Sequence, residues 1–118
     1  MALAVEHQDV EKETAVITLR GKLMLGEAAT QLENLVPELL KNGRKNLVFD
    51  LGGVTHIDST GIGFLIAIYT SIVKEDGGKF VLASPNHRVR EVLELTKLLT
   101  ILPVYDSEAQ ALAALRTA

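Results

Sequence analysis

The chain has no cysteine, no tryptophan and only three histidines. Without cysteine there are no disulfides, no zinc ribbon, no iron–sulfur cluster and no thiol nucleophile. Charge of neither sign dominates: 12 lysines and arginines against 15 aspartates and glutamates leave a net charge of −3 and a pI near 5.6. That balance gives a nucleic-acid footprint little support, and no block of like charges resembles a binding tail. Long hydrophobic runs are missing too. The most apolar stretch, Ile62 to Val73, is interrupted by Gly63, Thr70 and Ser71, whereas a membrane span needs about 20 apolar residues. Met1 to Glu6 carries neither a basic region nor a long apolar stretch, so no signal peptide is expected. Neither membrane insertion nor direct nucleic-acid binding is expected.

What is there has the composition of a folded protein. A hydrophobic share of 47% and a charged share of 23% over 118 residues suit one globular unit, read as a single domain spanning 1–118. Leu3 to Val10 reads as a first strand and Glu11-Lys12-Glu13 as a charged turn. Ala15 to Leu19 reads as a second strand ending at Arg20-Gly21. So short a connection implies an antiparallel hairpin. A helix follows from Glu27 to Lys41, with Ala28, Leu32, Leu35, Val36, Leu39 and Leu40 on its inner face. Glu27 and Lys41 suit its dipole, but Pro37 predicts a kink or a break near Val36.

Asn46 to Leu51 reads as a buried strand closed by Gly52-Gly53. A second helix runs from Thr60 or Gly61 to about Glu75 and is stopped by Asp76-Gly77-Gly78. Its apolar residues cover most of its surface, which predicts a central helix packed on several sides. Lys79 to Ala83 is the next strand. Val89, Val92, Leu93 and Thr96 mark a third helix, and Asn86 and His87 are its expected caps. Val104-Tyr105 is a short last strand. Ser107 caps a fourth helix reaching Arg116, with Ala111, Leu112 and Leu115 inward. The expected fold is α/β: a mixed β-sheet with an N-terminal antiparallel hairpin, then βαβα crossovers, with four to five strands and four helices.

Most catalytic templates fail. The chain has no phosphate-cradling Gly-x-x-x-x-Gly-Lys-Ser/Thr and no Gly-x-Gly-x-x-Gly. His7, His56 and His87 are scattered, without partners at metal-ligand spacing. His56, Asp58 and Ser59 are the residue types of a hydrolase triad, but one short backbone segment can hardly aim them into a relay. Asp9, Glu11, Glu13, Glu75 and Asp76 read as solvated charge.

One segment stands apart: Ile57-Asp58-Ser59-Thr60-Gly61-Ile62-Gly63. Asp, Ser and Thr ahead of an apolar periodic run suit an N-cap. The same geometry also exposes a hydroxyl at a positive dipole end, where a phosphate is well tolerated. Gly61 and Gly63 each cost roughly 0.5–1 kcal/mol against alanine in a helix. Close approach by another protein explains them on the functional reading. Packing of Gly63 against a strand is the structural alternative.

Asp50-Leu51-Gly52-Gly53-Val54-Thr55-His56 followed by the Ile57–Gly63 segment closely resembles the core motif of STAS domains, the anti-sigma factor antagonists of bacteria. The resemblance spans almost the whole chain. It takes in the opening hairpin, Gly21, Asn86, the Val89 to Thr96 helix and the closing helix. It implies the STAS fold, a cytoplasmic location and a switch without catalytic residues, cofactor or metal. In the family, the unphosphorylated domain binds an anti-sigma factor that is also a serine kinase, and the sigma factor is released. The kinase then phosphorylates the domain, and a phosphoserine phosphatase reverses the modification. Carried over, the acceptor is Ser59, and Asp58 orients the hydroxyl or kinase-bound magnesium. The partner-binding surface comprises Asp58, Ser59, Thr60, Gly61 and Ile62, joined by Met24 and Arg90.

The family's Gly-x-Leu-Asp after the second strand is here Gly21-Lys22-Leu23-Met24, with an apolar side chain in place of the carboxylate. Met24 therefore reads as an apolar contact residue or as core. Thr60 reads as a second acceptor or a cap, and His56 as a loop residue. An alternative is a STAS interaction subunit of a signalling assembly or of a lipid or anion transporter complex. Nucleotide binding is a third reading, without a phosphate loop to support it.

Overall fold

The computed structural model describes residues 3–11, 13–24, 27–74 and 78–116. Five strands form one sheet in the order β1-β2-β3-β4-β5. They are β1 (Leu3–Glu11), β2 (Thr14–Leu23), β3 (Asn46–Ile57), β4 (Lys79–Ala83) and β5 (Val104–Tyr105). β1 and β2 pair antiparallel, and every later neighbour is parallel. The helices are α1 (Glu27–Lys41), α2 (Ser59–Lys74), α3 (His87–Leu95) and α4 (Glu108–Arg116), with a short 3-10 turn at Leu98–Thr100. The mixed sheet with its opening hairpin and crossovers is thus the one expected. Lys12, Glu75, Asp76 and Gly77, and the side chains of Glu27 and Ala28, lie outside the described residues.

Strand alternation divides the core. Ala15, Ile17 and Leu19 of β2 join Leu47, Phe49 and Leu51 of β3 under Leu32, Val36 and Leu39 of α1 and Leu65, Ile68 and Ile72 of α2. Phe49 meets Phe80 edge to face with ring centroids 4.8 Å apart, a favoured aromatic geometry. On the opposite face, Val16, Val48, Val81 and Ala83 are covered by Ala111, Leu112 and Leu115 of α4.

Several expectations need correction. β2 does not end at Arg20-Gly21, and β3 does not end at Gly52-Gly53; both run on, to Leu23 and Ile57. Their parallel pairing continues through two irregularities, at Thr18/Arg20 and Gly21/Lys22. Gly52 falls in the first irregularity, whereas Gly53 stays in register with Arg20 and Gly21 with Val54, so none of them breaks its strand. At Gly53 a Cβ would lie 2.7 Å from Arg20 Cγ and 3.0 Å from the Leu19 carbonyl oxygen, so a side chain there would crowd the neighbouring strand. His56 therefore stands on a strand, not in a loop. Pro37 does not break α1 near Val36; the helix is continuous around it. The N–H that proline lacks would have met the carbonyl of Glu33. Both residues are exposed, so water can serve that oxygen.

A further correction concerns α2. It is not packed on several sides. Gly61, Leu65, Ile68 and Ile72 are buried, while Ser59, Gly63, Ile66, Ala67, Thr70 and Val73 are exposed. Ile66 is 39% exposed and Val73 45%, so an apolar stripe faces solvent. α3 starts one residue after its single cap, Asn86, whose Oδ1 accepts from the Val89 N–H at 2.9 Å. His87 is its exposed first residue and not a cap.

The acids of the edge strand β1 are each met by an arginine from elsewhere. Glu6 pairs with Arg20 at 3.3 Å, Asp9 with Arg44 at 2.8 Å, and Glu11 with Arg116. Charge on an outer strand discourages edge-to-edge pairing with another chain. The Arg44 hydrogen bond holds the Asp9 carboxyl below its usual range. On α4, the hydrogen bond from Glu108 to the Asp50 carboxylate, helped by burial and the charge of Asp50, pushes the Glu108 carboxyl up.

The sign of that shift sets a pH test. A raised folded-state pKa favours the protonated form, so its contribution is full below the ordinary value of 4.5 and is lost as pH rises through the folded value. Glu108→Gln keeps a neutral hydrogen-bonding group at every pH. Thermal denaturation should show the variant gaining on the parent chain as pH rises from 4 to 7. A difference constant across that range would contradict the pairing.

Candidate functional site

The site is built where β2 and β3 end together. Leu23 and Ile57 are partners in the parallel ladder. One residue further on each strand stand Met24 and Asp58, both half-buried. The chain then turns directly into α2. Asp58 is the helix cap: its Oδ1 accepts the Gly61 N–H at 2.9 Å, and its carbonyl accepts the Ile62 N–H at 2.9 Å. Neither Ser59 nor Thr60 has that task. Ser59 is the first helical residue and is exposed, while Thr60 is half-buried. Among the described residues no hydrogen bond engages the Ser59 hydroxyl.

The two glycines have different roles, and not the ones expected. Gly63 does not pack against a strand; a Cβ there would meet nothing within 4 Å. Gly61 is the close contact. A Cβ at Gly61 would lie 2.1 Å from the carbonyl oxygen of Leu23. The first turn of α2 therefore rests on the end of β2, and glycine is required there by the fold. Gly61 is buried beneath the helix, whereas Gly63 is open to solvent on the same face as Ser59. Ile62 is half-buried at the margin of the core.

No acidic side chain other than the cap compensates this helix start, since the first turn of α2 holds none. The free N–H groups and the dipole leave partial positive charge around Ser59. Positions 59, 63, 66, 70 and 73 then follow one another along one helical face. That face presents Ser59, Gly63, Ile66, Thr70 and Val73, with Ala67 beside them, and is uncharged from Ser59 to Val73. It is a surface and not a pocket. A concavity of about 360 Å³ between α1 and α2 is lined by Val36, Pro37, Leu40, Lys41, Lys45, Ser71 and Gly78, without Ser59.

α3 reaches the same end of β3. The Asn86 amide donates to the Val54 carbonyl. Arg88 Nη1 lies 3.2 Å from His56 Nε2, and His56 Nδ1 lies 3.0 Å from Thr55 Oγ1. Arg90, expected beside the motif, is instead held by Asp106 at 2.7 Å, beyond β5. Asp58, Ser59, Thr60, Gly61 and Ile62 are brought together with Met24, while Arg90 is engaged elsewhere. Arg88 and Lys22 were missed. The signal for Arg88 is its place two residues after the cap Asn86, and for Lys22 its place just before Leu23-Met24.

Among the described residues no helix is long and apolar enough to cross a membrane. The sequence model of the STAS domain matches residues 2–111. A Thermotoga neapolitana protein assigned as an anti-sigma factor antagonist is 37% identical over 101 residues, 85% of this chain and 88% of its own length. A crystal structure of an assigned anti-sigma factor antagonist from Thermotoga maritima superposes with a TM-score of 0.85 at 30% identity. It covers 95% of this chain and 94% of that one. The anti-sigma factor antagonist SpoIIAA in its unphosphorylated form shares the fold, with a TM-score of 0.81 at 22% identity over 98% of both chains. The motif around Ser59 and the matches along the chain agree: the protein belongs to the STAS domain family.

Proposed function

We propose that the chain is a non-catalytic anti-sigma factor antagonist whose α2 face docks an anti-sigma factor, and that phosphorylation of Ser59 ends the docking. The observation that carries this reading is the free Ser59 hydroxyl. It is exposed at the start of α2 while Asp58 alone supplies the cap. The relatives' names support the same class of activity, and favour it over a transporter or scaffold subunit. SpoIIAA, which shares the fold, has also been solved in a phosphorylated form.

The physical account is short. The domain supplies the acceptor hydroxyl; the γ-phosphoryl group, its magnesium and the base that takes the hydroxyl proton belong to the kinase partner. On the free domain, the phosphate sits at the positive end of α2 and leaves the fold intact. In the complex, about −1.5 to −2 charges meet Gly63 and Ile66 beside the Asp58 carboxylate, and desolvation and repulsion oppose docking. A phosphatase partner restores the hydroxyl. The role of Asp58 is to hold the helix start in place. Met24, half-buried beside Asp58, gives that flank of the surface an apolar contact.

Incubation with an anti-sigma factor kinase and labelled ATP tests the acceptor. Parent chain should be labelled and Ser59→Ala should not; equal labelling of both would show the assignment wrong. Calorimetry should find Ser59→Glu at least about tenfold weaker than Ser59→Ala toward the same partner. Recovery of transporter ATPase subunits in place of an anti-sigma factor would overturn the reading.

Gly63→Ala separates folding from docking. Urea denaturation should show it more stable than the parent by about 0.5–1 kcal/mol, while its affinity for the anti-sigma factor falls. Gly61→Ala should lose stability, because its methyl group collides with the Leu23 carbonyl. Unchanged partner affinity in Gly63→Ala would remove Gly63 from the docking face.

A further inference from the structure

We propose that Arg88, with Lys22 beside it, forms an anion-recognition rim that receives carboxylates of an acidic segment on the docked protein. The proposal rests on the docking reading of the Ser59 face and adds the chemistry of what sits next to it.

The first observation is an exception. Arg20, Arg44, Arg90 and Arg116 each close an ion pair with a carboxylate of this chain: Glu6, Asp9, Asp106 and Glu11. Arg88 is the remaining arginine, and its partner is an imidazole. A guanidinium only donates hydrogen bonds. His56 Nε2 must therefore accept, which puts the ring proton on Nδ1, facing Thr55 Oγ1. Thr55 Oγ1 in turn donates to the Gly21 carbonyl at 3.2 Å. The donors run in one direction, Arg88 to His56 to Thr55 to Gly21, and stitch α3 to β3 and β2. The imidazole positions the guanidinium without neutralising it.

The second observation is place. Lys22 and His56 are partners in the parallel ladder, so their side chains share one face of the sheet end. Lys22 is exposed and has no ion pair among the described residues. His56 precedes Ser59 by only three residues, so the rim lies at the end of β3 that leads into the docking face. Among the described residues neither cation closes an ion pair with an acid of this chain; Asp58 Oδ1 holds the Gly61 N–H at 2.9 Å, and Glu91 faces the exposed His87 at 3.9 Å. An arginine held by an imidazole and an exposed lysine, at the strand ends that lead to an apolar helix face, suit a partner that carries carboxylates at one edge of its interface. Arg88 suits that role because its planar fork meets a carboxylate through two parallel hydrogen bonds.

A hexaglutamate peptide is the direct probe, followed by NMR on the folded chain. It should move the Arg88 Nε–Hε signal and the His56 and Lys22 amides along saturable curves. Arg88→Gln should weaken that binding about tenfold, Lys22→Gln should weaken it less, and Lys41→Gln, on α1, should leave it unchanged. Shifts spread evenly over Lys41, Lys45 and Lys97, or the same response to hexaglutamine, would overturn the proposal. Titration of an anti-sigma factor separates the two readings. If Arg88→Gln binds it like the parent while Ser59→Glu does not bind, the rim is wrong and the docking function stands. If hexaglutamate is held at the rim but no anti-sigma factor binds the parent chain, the rim stands and the docking function falls.

Discussion

The contact between Gly61 and the carbonyl of Leu23 fixes everything at the functional end of the molecule. No side chain fits between the two backbones, so the first turn of α2 is seated on the end of β2 with little freedom to slide or tilt. That seating sets where the helix begins. It puts Asp58 in the one position from which its carboxylate can reach the Gly61 N–H, and it places Ser59 one residue later, turned to solvent. A cap supplied by Ser59 itself would have tied the hydroxyl to the backbone. A carboxylate cap one residue earlier leaves the hydroxyl available.

The same seating decides which face of α2 is buried. Gly61, Leu65, Ile68 and Ile72 follow at helical spacing and enter the core. The remaining apolar residues cannot also be buried, because α1 and the sheet cover only one side. Ile66 and Val73 are therefore left in water. Scattered exposed apolar residues are ordinary on any protein surface. Here they line up behind Ser59 on a helix face that is uncharged as far as Val73, and Gly63 interrupts that face with a helix-weakening residue that no neighbour requires. A stable helix alone gives no reason for glycine at that position, whereas docking of a second protein does.

Local patterning made much of this legible. The bounds of α1 could be read from its periodic leucines and its terminal charges, and β4 and β5 from short apolar runs between turn residues. What failed depended on distant parts of the chain. Gly52-Gly53 looks like a strand end until β2 is laid beside it and the bulges appear. α2 looks central because hydropathy counts apolar residues without knowing how many neighbours will cover them. The motif itself was plain, but the sequence did not say which of Asp58, Ser59 and Thr60 caps the helix, or which glycine packs. The sequence marks Arg88 only by its place two residues after the cap Asn86, because its significance lies in what it lacks. Only with all five arginines placed does one stand without a carboxylate.

If Ser59 carries the phosphate as proposed, magnitudes decide which part of the surface makes it act as a switch. Moving a partner from almost fully bound to almost fully free takes about 5.5 kcal/mol. The α2 dipole can stabilise a phosphate on the free domain by about 0.3–1 kcal/mol at an exposed site, and that term counts only to the extent that docking removes it. Repulsion from Asp58 is softened because its carboxylate is already hydrogen-bonded in the cap. On the proposed reading, the larger share comes from burying a dianion against Gly63 and Ile66, which offer it no charge. Charge is costly to bury when it is unpaired, so on the proposed reading the uncharged stretch from Ser59 to Val73 converts a small covalent change into a large change in affinity. By linkage, the docked partner disfavours the phosphorylated state by the same factor that phosphate disfavours docking. On the proposed reading, an apolar face beside a free hydroxyl suffices for reciprocal control, with no moving part inside the domain.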